Sequence, residues 1–241
     1  MKGLLHWKYL GLLSLTLSLG ASMTLAKPAM SITFEPPQGQ DQAPKRASAG
    51  GSRESGRCFH SGNETGRSIV PLTPQTNHGL TVAERPTFFA YVPKTQEKQE
   101  VEAFFIIEDK EQNPHYFTSV SISSVSGVVS IPLPQEAPAL EIGRDYKWTL
   151  AIGCSGELDP NSPFVEAWIK RVEPNSLSGS QDASLERAES LGADGIWYDA
   201  VEALVELREQ YPEDARLGKE WAELLDSAGL QEIATEPLLS R

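Results

Sequence analysis

Hydrophobic and polar residues alternate with a period of two through the middle of the chain. Every second residue from Tyr146 to Cys154 is apolar, and Val165–Ile169 repeats the pattern. Such alternation is typical of a strand with one buried face, whereas the apolar run Val101–Ile107 predicts a strand covered on both faces. Further strands are predicted at Ile69–Leu72, Thr87–Val92, His115–Ser121 and Val128–Leu133. About seven short strands separated by turns predict an antiparallel, immunoglobulin-like β-sandwich over residues 68–174.

The start of one predicted strand carries a more specific pattern. Tyr146 follows a glycine-containing turn, Leu140–Asp145. This resembles the tyrosine corner of immunoglobulin-like sandwiches, in which the ring packs inward and the hydroxyl bonds to upstream backbone. An ordinary tyrosine at the start of a strand is the alternative.

Beyond the Ser/Gly-rich linker at 175–181 the apolar period changes to 3.6. One face of the last predicted helix consists of Leu217, Trp221, Leu224, Leu225 and Ala228. Gly229 is its predicted C-terminal cap. A preceding helix carries Ala200–Leu207 and ends before Pro212, and a shorter helix covers Leu185–Leu191. The sequence thus predicts a small three-helix module over 182–241, and an α+β fold class for the whole chain.

The turn between the first two predicted helices resembles one tetratricopeptide unit. In that repeat a glycine opens the turn, an aromatic residue and an alanine allow close helix packing, and a proline ends the second helix. The resemblance gives these roles to Gly195, Trp197, Ala200 and Pro212, and places Trp221 at a packing position on the next helix. Because a single unit cannot bury a core alone, we expect the module to pack on the β domain or on a partner.

The first 26 residues have the three parts of a secretory signal peptide. Lys2 and Lys8 precede the apolar stretch Leu10–Leu19, and small residues occupy the peptidase positions at Thr24 and Ala26. A membrane anchor is the alternative, but a spanning helix needs about 20 apolar residues. We therefore expect cleavage after Ala26, no stable membrane anchor afterwards, and a periplasmic or secreted protein.

Residues 27–67 and the two cysteines define the expected start of the exported chain. The segment is poor in large apolar residues and is predicted to be a disordered arm. Cys58 and Cys154 both belong to the exported part, and an even count in an oxidising compartment predicts a disulfide. The chain-entropy model assigns such a loop about 4–5 kcal/mol. Two unrelated thiols are the alternative.

Charge narrows the range of partners. The chain has 33 acidic and 21 basic residues, a formal net charge of −12. This balance argues against binding to nucleic acid or anionic lipid, which requires clustered Lys and Arg. The region 182–241 alone holds 15 acidic and five basic residues, so a basic protein or peptide would be favoured on approach.

Several catalytic motifs are missing from the sequence. It contains no G-x-S-x-G elbow, H-E-x-x-H helix, Walker loop or C-x-x-C pair, and we predict no cofactor. Enzymes with scattered residues are not removed by these absences. The carboxylate that we single out for a glycosidase-type role is Glu166, near Trp168. A salt-bridged outer face is the favoured alternative for Glu166, and Trp168 is predicted to point outward.

Two metal sites are considered from spacing. A zinc site would use Cys58, His60 and His78, in competition with the disulfide. A calcium site would use Glu157, Asp159 and Asn161, but the glycine and distal glutamate of calcium loops are missing, and a solvated turn is favoured.

Six segments together resemble a cyanobacterial family of exported proteins, domain of unknown function number 928. They are Gly79–Pro93, Gly127–Pro134, Leu140–Trp148, Phe164–Val172, Gly195–Ala200 and Trp221–Leu225. The resemblance implies export and a two-part organisation, and it supplies no catalytic residues. We expect a non-catalytic envelope or extracellular protein that binds another protein or peptide through its acidic helical module and β-sandwich. The alternative is a hydrolase of envelope polysaccharide or peptide, with an unlocated carboxylate pair.

Overall fold

In the part of the chain that the structure describes, the strands precede the helices. The computed structural model describes residues 31–37, 59, 68–96, 100–154, 156–174 and 184–239. The strands are β1 (Val70–Pro71), β2 (His78–Thr81), β3 (Thr87–Val92), β4 (Glu100–Asp109), β5 (Pro114–Ser123), β6 (Gly127–Pro132), β7 (Asp145–Gly153) and β8 (Phe164–Arg171). The helices are α1 (Leu185–Ala193), α2 (Trp197–Gln210) and α3 (Ala215–Ser227), followed by a 3-10 turn (Gln231–Ile233). The fold class is therefore α+β, as predicted.

The strands form two sheets. One has the order β1-β3-β6 and the other β2-β8-β7-β4-β5. Every pair is antiparallel except β2–β8, which is parallel. The prediction of antiparallel pairing is therefore wrong at this edge. The prediction lacks β2, because four residues that include Gly79 carry no alternating pattern and are ordered by pairing with β8.

The face of β4 that points away from the other sheet is only half covered. Val101 and Phe105 are buried, whereas Phe104 and Ile106 are partly exposed and Glu102 is exposed. The prediction of a strand covered on both faces is wrong. An antiparallel sheet can leave one face to solvent. Because the residues of both faces are apolar here, the sequence does not show which face is buried.

Four aromatic rings join the two sheets and the helices. Phe88 on β3 lies 4.8 Å from Phe105 on β4 and 5.6 Å from Trp148 on β7, measured between ring centroids. Tyr198 on α2 lies 5.7 Å from the same Phe88 ring. All four side chains are buried. Since such rings bury large areas and gain further from tilted contacts, this cluster is the centre of the core.

The hydroxyl of Tyr198 links three elements. It accepts a hydrogen bond from Trp148 Nε1 at 2.6 Å and donates one to the carbonyl of Trp168 at 3.2 Å. Burial raises the pKa of this hydroxyl. Gly79 admits the ring, because a Cβ at that position would lie 2.7 Å from Tyr198 Cε2. The side chain thus fastens α2 to β7 and β8.

The helices share one core with the sheets. The described residues belong to a single compact unit, and Trp197 Nε1 at the start of α2 donates to the carbonyl of Leu72 at 2.7 Å. The expectation that the helices pack on the β domain agrees with this contact. Removing 182–241 would therefore expose the core of the sheets, so point substitutions are the suitable probes of the helices.

Residues 31–37 lie against α1 and α3. Ile32 and Phe34 are buried, and the backbone N–H of Phe34 donates to Ser227 Oγ at 2.8 Å. The Phe34 ring contacts Trp197 edge-on at 5.1 Å. The prediction of a disordered arm is wrong for these seven residues, because two large apolar side chains two positions apart find a partner surface that only the folded helices provide.

The last helix ends in a glycine cap. Gly229 has φ +79°, and its N–H donates to the carbonyl of Asp226 at 2.9 Å. The N–H of Leu230 donates to the carbonyl of Leu225 at 2.8 Å. These are the two bonds of a Schellman motif, and its left-handed residue is the glycine that the sequence predicts.

Replacing Tyr198 by Phe should destabilise the fold by about 1–3 kcal/mol. The change keeps the ring but leaves the Trp148 N–H buried without its acceptor and removes one of the donors to the Trp168 carbonyl. The free energy of unfolding in urea measures this loss. Tyr211→Phe is the matched control, because Tyr211 is 54% exposed. Equal stability of both variants and the parent would contradict this role of the hydroxyl.

Candidate functional site

Among the described residues, the large apolar side chain with the highest exposed fraction lies on the edge strand of the five-stranded sheet. We call this surface the β5 edge: strand β5 together with Phe104 and Ile106 of β4. Phe117 is 61% exposed, stands opposite Ile106 in the strand register, and stacks on Phe104 with ring centroids 6.3 Å apart. Strand alternation places Phe117 on this outer face while Ile122, on the other face, is buried.

β5 is a long edge without charged side chains. Its ten residues include no Asp, Glu, Lys or Arg, and among the described residues it pairs only with β4. Such an edge presents a row of unpaired backbone N–H and C=O groups. The β5 edge is therefore able to accept a further strand.

The other end of β5 is acidic and polar. A hollow of about 600 Å³ is lined there by Glu100, Glu102, Ser119, Ser121 and Gly153, among others. Ser121 donates its hydroxyl proton to Glu100 at 2.6 Å. The edge thus changes from aromatic at Phe117 to hydrogen-bonding and negatively charged over a few residues.

The centre of the outer face carries an ion cluster. Lys147 Nζ lies 3.1 Å from Glu166 and 3.2 Å from Glu108. Burial opposes its charge, but the hydrogen bonds that the ammonium donates to Glu166 and Glu108 outweigh burial and raise the pKa of Lys147. Glu166 therefore belongs to a salt-bridged face, the alternative that the sequence favours. Trp168 stands opposite Lys147 and lies on this outer face as predicted. The expectation that it is exposed is wrong, because only 8% of it is accessible to solvent.

The residues considered for metal binding have other partners. His78 is buried with its Nε2 2.9 Å from Asp145, while Cys58 and His60 lie outside the described residues. The Asp159 carboxylate accepts the N–H of Asn161 at 2.6 Å within its own turn, and Glu157 is exposed there. No group of three possible metal ligands occurs in the ranges that the structure describes.

The tyrosine that begins β7 is tied to the preceding turn. Tyr146 is buried, and its hydroxyl accepts the backbone N–H of Glu141 at 3.2 Å. His115 lies over its ring at 4.6 Å. A tyrosine corner needs this upstream backbone bond.

The proposed helix-packing residues occupy two different environments. Trp197, Ala200 and Trp221 are buried, as is Gly195, where φ is +73°. Pro212 is exposed in the connection after α2. Trp197 differs from the tetratricopeptide role, because its indole N–H also donates to the carbonyl of Leu72, the residue after β1. The repeat assignment itself stays a prediction.

The remaining predicted positions concern the signal cleavage, the disulfide and the linker. Ala26, Cys58 and the linker 175–181 are outside the described residues. Cys154 follows β7 and is partly buried. Because Cys58 lies outside the described residues, the disulfide stays a prediction. Phe59, next to Cys58 in sequence, is buried and bridges to Thr95.

Asp199 is a buried acid that sequence reasoning did not single out. It lies in the first turn of α2 and accepts the N–H of Val82 at 3.2 Å. Burial raises the pKa of its carboxyl, opposed by hydrogen bonds from Thr81 and Val82 and by the charge of Arg187. The bond to Val82 joins α2 to the segment after β2. An acid among apolar helix positions was its signal in the sequence.

Asp199→Asn should remove the loss of folding stability that the buried carboxyl causes as the pH rises. Because the folded pKa lies above the unfolded value, the unfolded chain ionises first and stability falls as pH rises from about 4. The free energy of unfolding of Asp199→Asn should therefore increase relative to the parent over this range. Urea unfolding between pH 3.5 and 7 measures the difference. The exposed Asp226→Asn should give no such trend, and parallel curves for Asp199→Asn would contradict the assignment.

The chain is an α+β protein with two sheets and three C-terminal helices in its described part. The family model Domain of Unknown Function (DUF928) matches residues 48–238, and the chain belongs to this family, which confirms the resemblance seen in its segments. No curated protein matches the chain. None of the described helices has the length and apolar character needed to cross a bilayer.

Proposed function

We propose that this protein is an exported, non-catalytic binding protein whose partner is a protein or peptide. The observation that carries the proposal is the β5 edge, where Phe117 is exposed on a strand with no charged residue. Natural sheet edges are normally guarded by Lys, Pro, inward charges or bulges. Here Pro114 and the bulge at His115, which the pairing with β4 skips, stand only at the start of β5, and residues 116–123 carry no such guard.

A partner strand is the occupant that suits this edge. An extended segment pairing with β5 would gain main-chain hydrogen bonds, and side chains at alternate positions would give specificity. Phe117, Phe104 and Ile106 offer an apolar contact for one such side chain. The acidic surface of the helical module favours the approach of a basic partner.

The same proposal includes the finer architecture. The two sheets act as the halves of an immunoglobulin-like sandwich, supported by the contacts of Phe88 with Phe105 and Trp148 across the sheets. The hydroxyl bond of Tyr146 is a further support. The α1–α2 pair acts as a tetratricopeptide-like unit, supported by the buried Ala200 and by Gly195 at the turn. Both architectures commonly serve recognition, which is an argument from fold alone.

Substitution of Phe117 tests the binding surface. Phe117→Lys adds a guarding charge to the edge and removes its aromatic contact, so cross-linked partner recovered from cell envelopes should fall about tenfold or more. The matched control is Gln135→Lys, which adds the same charge at an exposed position after β6. Quantitative mass spectrometry of cross-linked peptides measures recovery and maps the contact.

The result has two decisive outcomes. Cross-links from the partner to β5 that disappear in Phe117→Lys and persist in Gln135→Lys support the proposal. Partner recovery that is unaffected by Phe117→Lys, with cross-links elsewhere, would show that the β5 edge is not the recognition surface.

Export and the disulfide belong together in this proposal. Phe59 bridges to Thr95, whose N–H donates to Ser124 beside the end of β5. The end of β7 that carries Cys154 borders the same end of the sheet, because Gly153 stands opposite Glu102 near the start of β4. The neighbour of Cys58 is thus held at the end of the sheet where Cys154 lies.

The intact mass of envelope protein tests both claims. We expect a chain that begins at Lys27 and is two hydrogens lighter than its reduced form. Such cleavage retains Ile32 and Phe34, which the helices bury. Cys58→Ser and Cys154→Ser should each lower stability by up to about 4–5 kcal/mol, and the double variant by no more than either single one. Cytosolic protein with its leader attached and both thiols reduced would refute export.

A further inference from the structure

An apolar groove runs between the end of α2, the start of α3 and the C-terminal segment. Leu217, Leu238 and Leu239 contribute apolar side chains to it, and Tyr211 stands exposed at one side. Its volume is about 660 Å³. The groove is open to solvent and large enough for two or three residues of an extended peptide.

One cation lines this groove without an acidic partner. Arg208 is partly buried, and in the described part of the chain its guanidinium forms no ion pair; its Nη1 is buried without a hydrogen-bond acceptor. Burial lowers the pKa of this guanidinium. In a protein with 33 acidic residues, a half-buried arginine with no carboxylate is unusual, because burying an unpaired charge is costly.

A second donor lies beside Arg208. The Arg208 guanidinium sits over the Trp221 ring, with Cζ 5.1 Å from the ring centroid, and this stacking holds it in place. Trp221 is fully buried, and its Nε1 also lacks an acceptor. Arg208 lines the groove and Trp221 lies buried behind it, so the indole N–H of Trp221 reports on the guanidinium rather than contacting a ligand.

We propose that this groove binds a carboxylate carried by an apolar peptide segment, with Arg208 as the residue that pairs with the carboxylate. A planar guanidinium offers parallel N–H donors that match a carboxylate, and the leucine side chains fit apolar neighbours of the acid. The inference rests on the proposed binding function and assigns to the helices a site distinct from the β5 edge.

The acidic residues near the groove do not pair with Arg208. Asp214 also lines it, but its carboxylate is held by Arg216 at 2.7 Å, and the hydrogen bonds from Arg216 lower the pKa of that carboxyl. Glu209 is exposed at the rim, where solvent and salt screen its charge. Arg208 thus remains available to an external acid.

Short peptides of defined charge test this site on the full exported chain. The probes are N-acetyl-Leu-Asp-Leu-amide against its Asn counterpart, and N-acetyl-Leu-Leu with a free C-terminal acid against its amide. Proton–nitrogen NMR spectra follow the indole N–H signal of Trp221 during titration. We expect at least one acid to bind about tenfold tighter than its neutral counterpart, and the two pairs distinguish a side-chain from a C-terminal carboxylate.

Two arginine variants supply the comparison. Arg208→Gln should abolish the preference for the acid, whereas Lys219→Gln, which removes the same charge from an exposed position on α3 that does not line the groove, should retain it. Arg208→Lys keeps the charge but loses the planar fork, so it should give an intermediate preference and serves if Arg208→Gln fails to fold. Equal binding of acids and neutral peptides, or no binding of either, would overturn the proposal.

The outcome is independent of the β5 edge. Loss of partner capture in Phe117→Lys together with no peptide binding would reject the groove and keep the proposed function. Acid-selective peptide binding that Lys219→Gln abolishes as completely as Arg208→Gln would also reject the assignment of Arg208.

Discussion

The buried hydroxyl of Tyr198 is the contact on which the arrangement of helices and sheets depends. It satisfies the indole N–H of Trp148 and the carbonyl of Trp168 at once, in a core where an unpaired polar group would cost more than the bond returns. Gly79 leaves room for the ring. Because one side chain fixes α2 against β7 and β8, the remaining helices and residues 31–37 take their positions from it.

The edge strands of the two sheets differ in whether another segment covers them, and this difference connects the fold to the proposed function. At β6 the C-terminal segment supplies backbone partners: Val128 N–H donates to Pro237 and Leu239 N–H donates to Val128. The same segment forms one wall of the groove that holds Arg208. β5 has no such cover among the described residues. One terminal segment thus closes one edge and shapes a groove, while the other sheet keeps an edge able to pair.

Local patterns predicted the elements whose residues act through near neighbours. The alternation at Tyr146–Cys154 and the cap at Gly229 were readable, because strand faces and glycine caps depend on positions a few residues apart. β2 and the packing of Ile32 were not predicted, since both depend on surfaces more than eighty residues away in sequence. Trp168 was placed outward by alternation, which fixes the face of the sheet but not what covers that face.

The sequence by itself determined the fold class, the family and most element positions, because periodicity and motif spacing are local properties of the chain. Only the tertiary structure decided which polar groups lost their partners. Phe117 is one of several strand aromatics in the sequence, and Arg208 is one of several helix cations. Their distinction comes from long-range packing, which left the edge of β5 unpaired and placed a half-buried guanidinium on Trp221 with no carboxylate paired to it in the described residues.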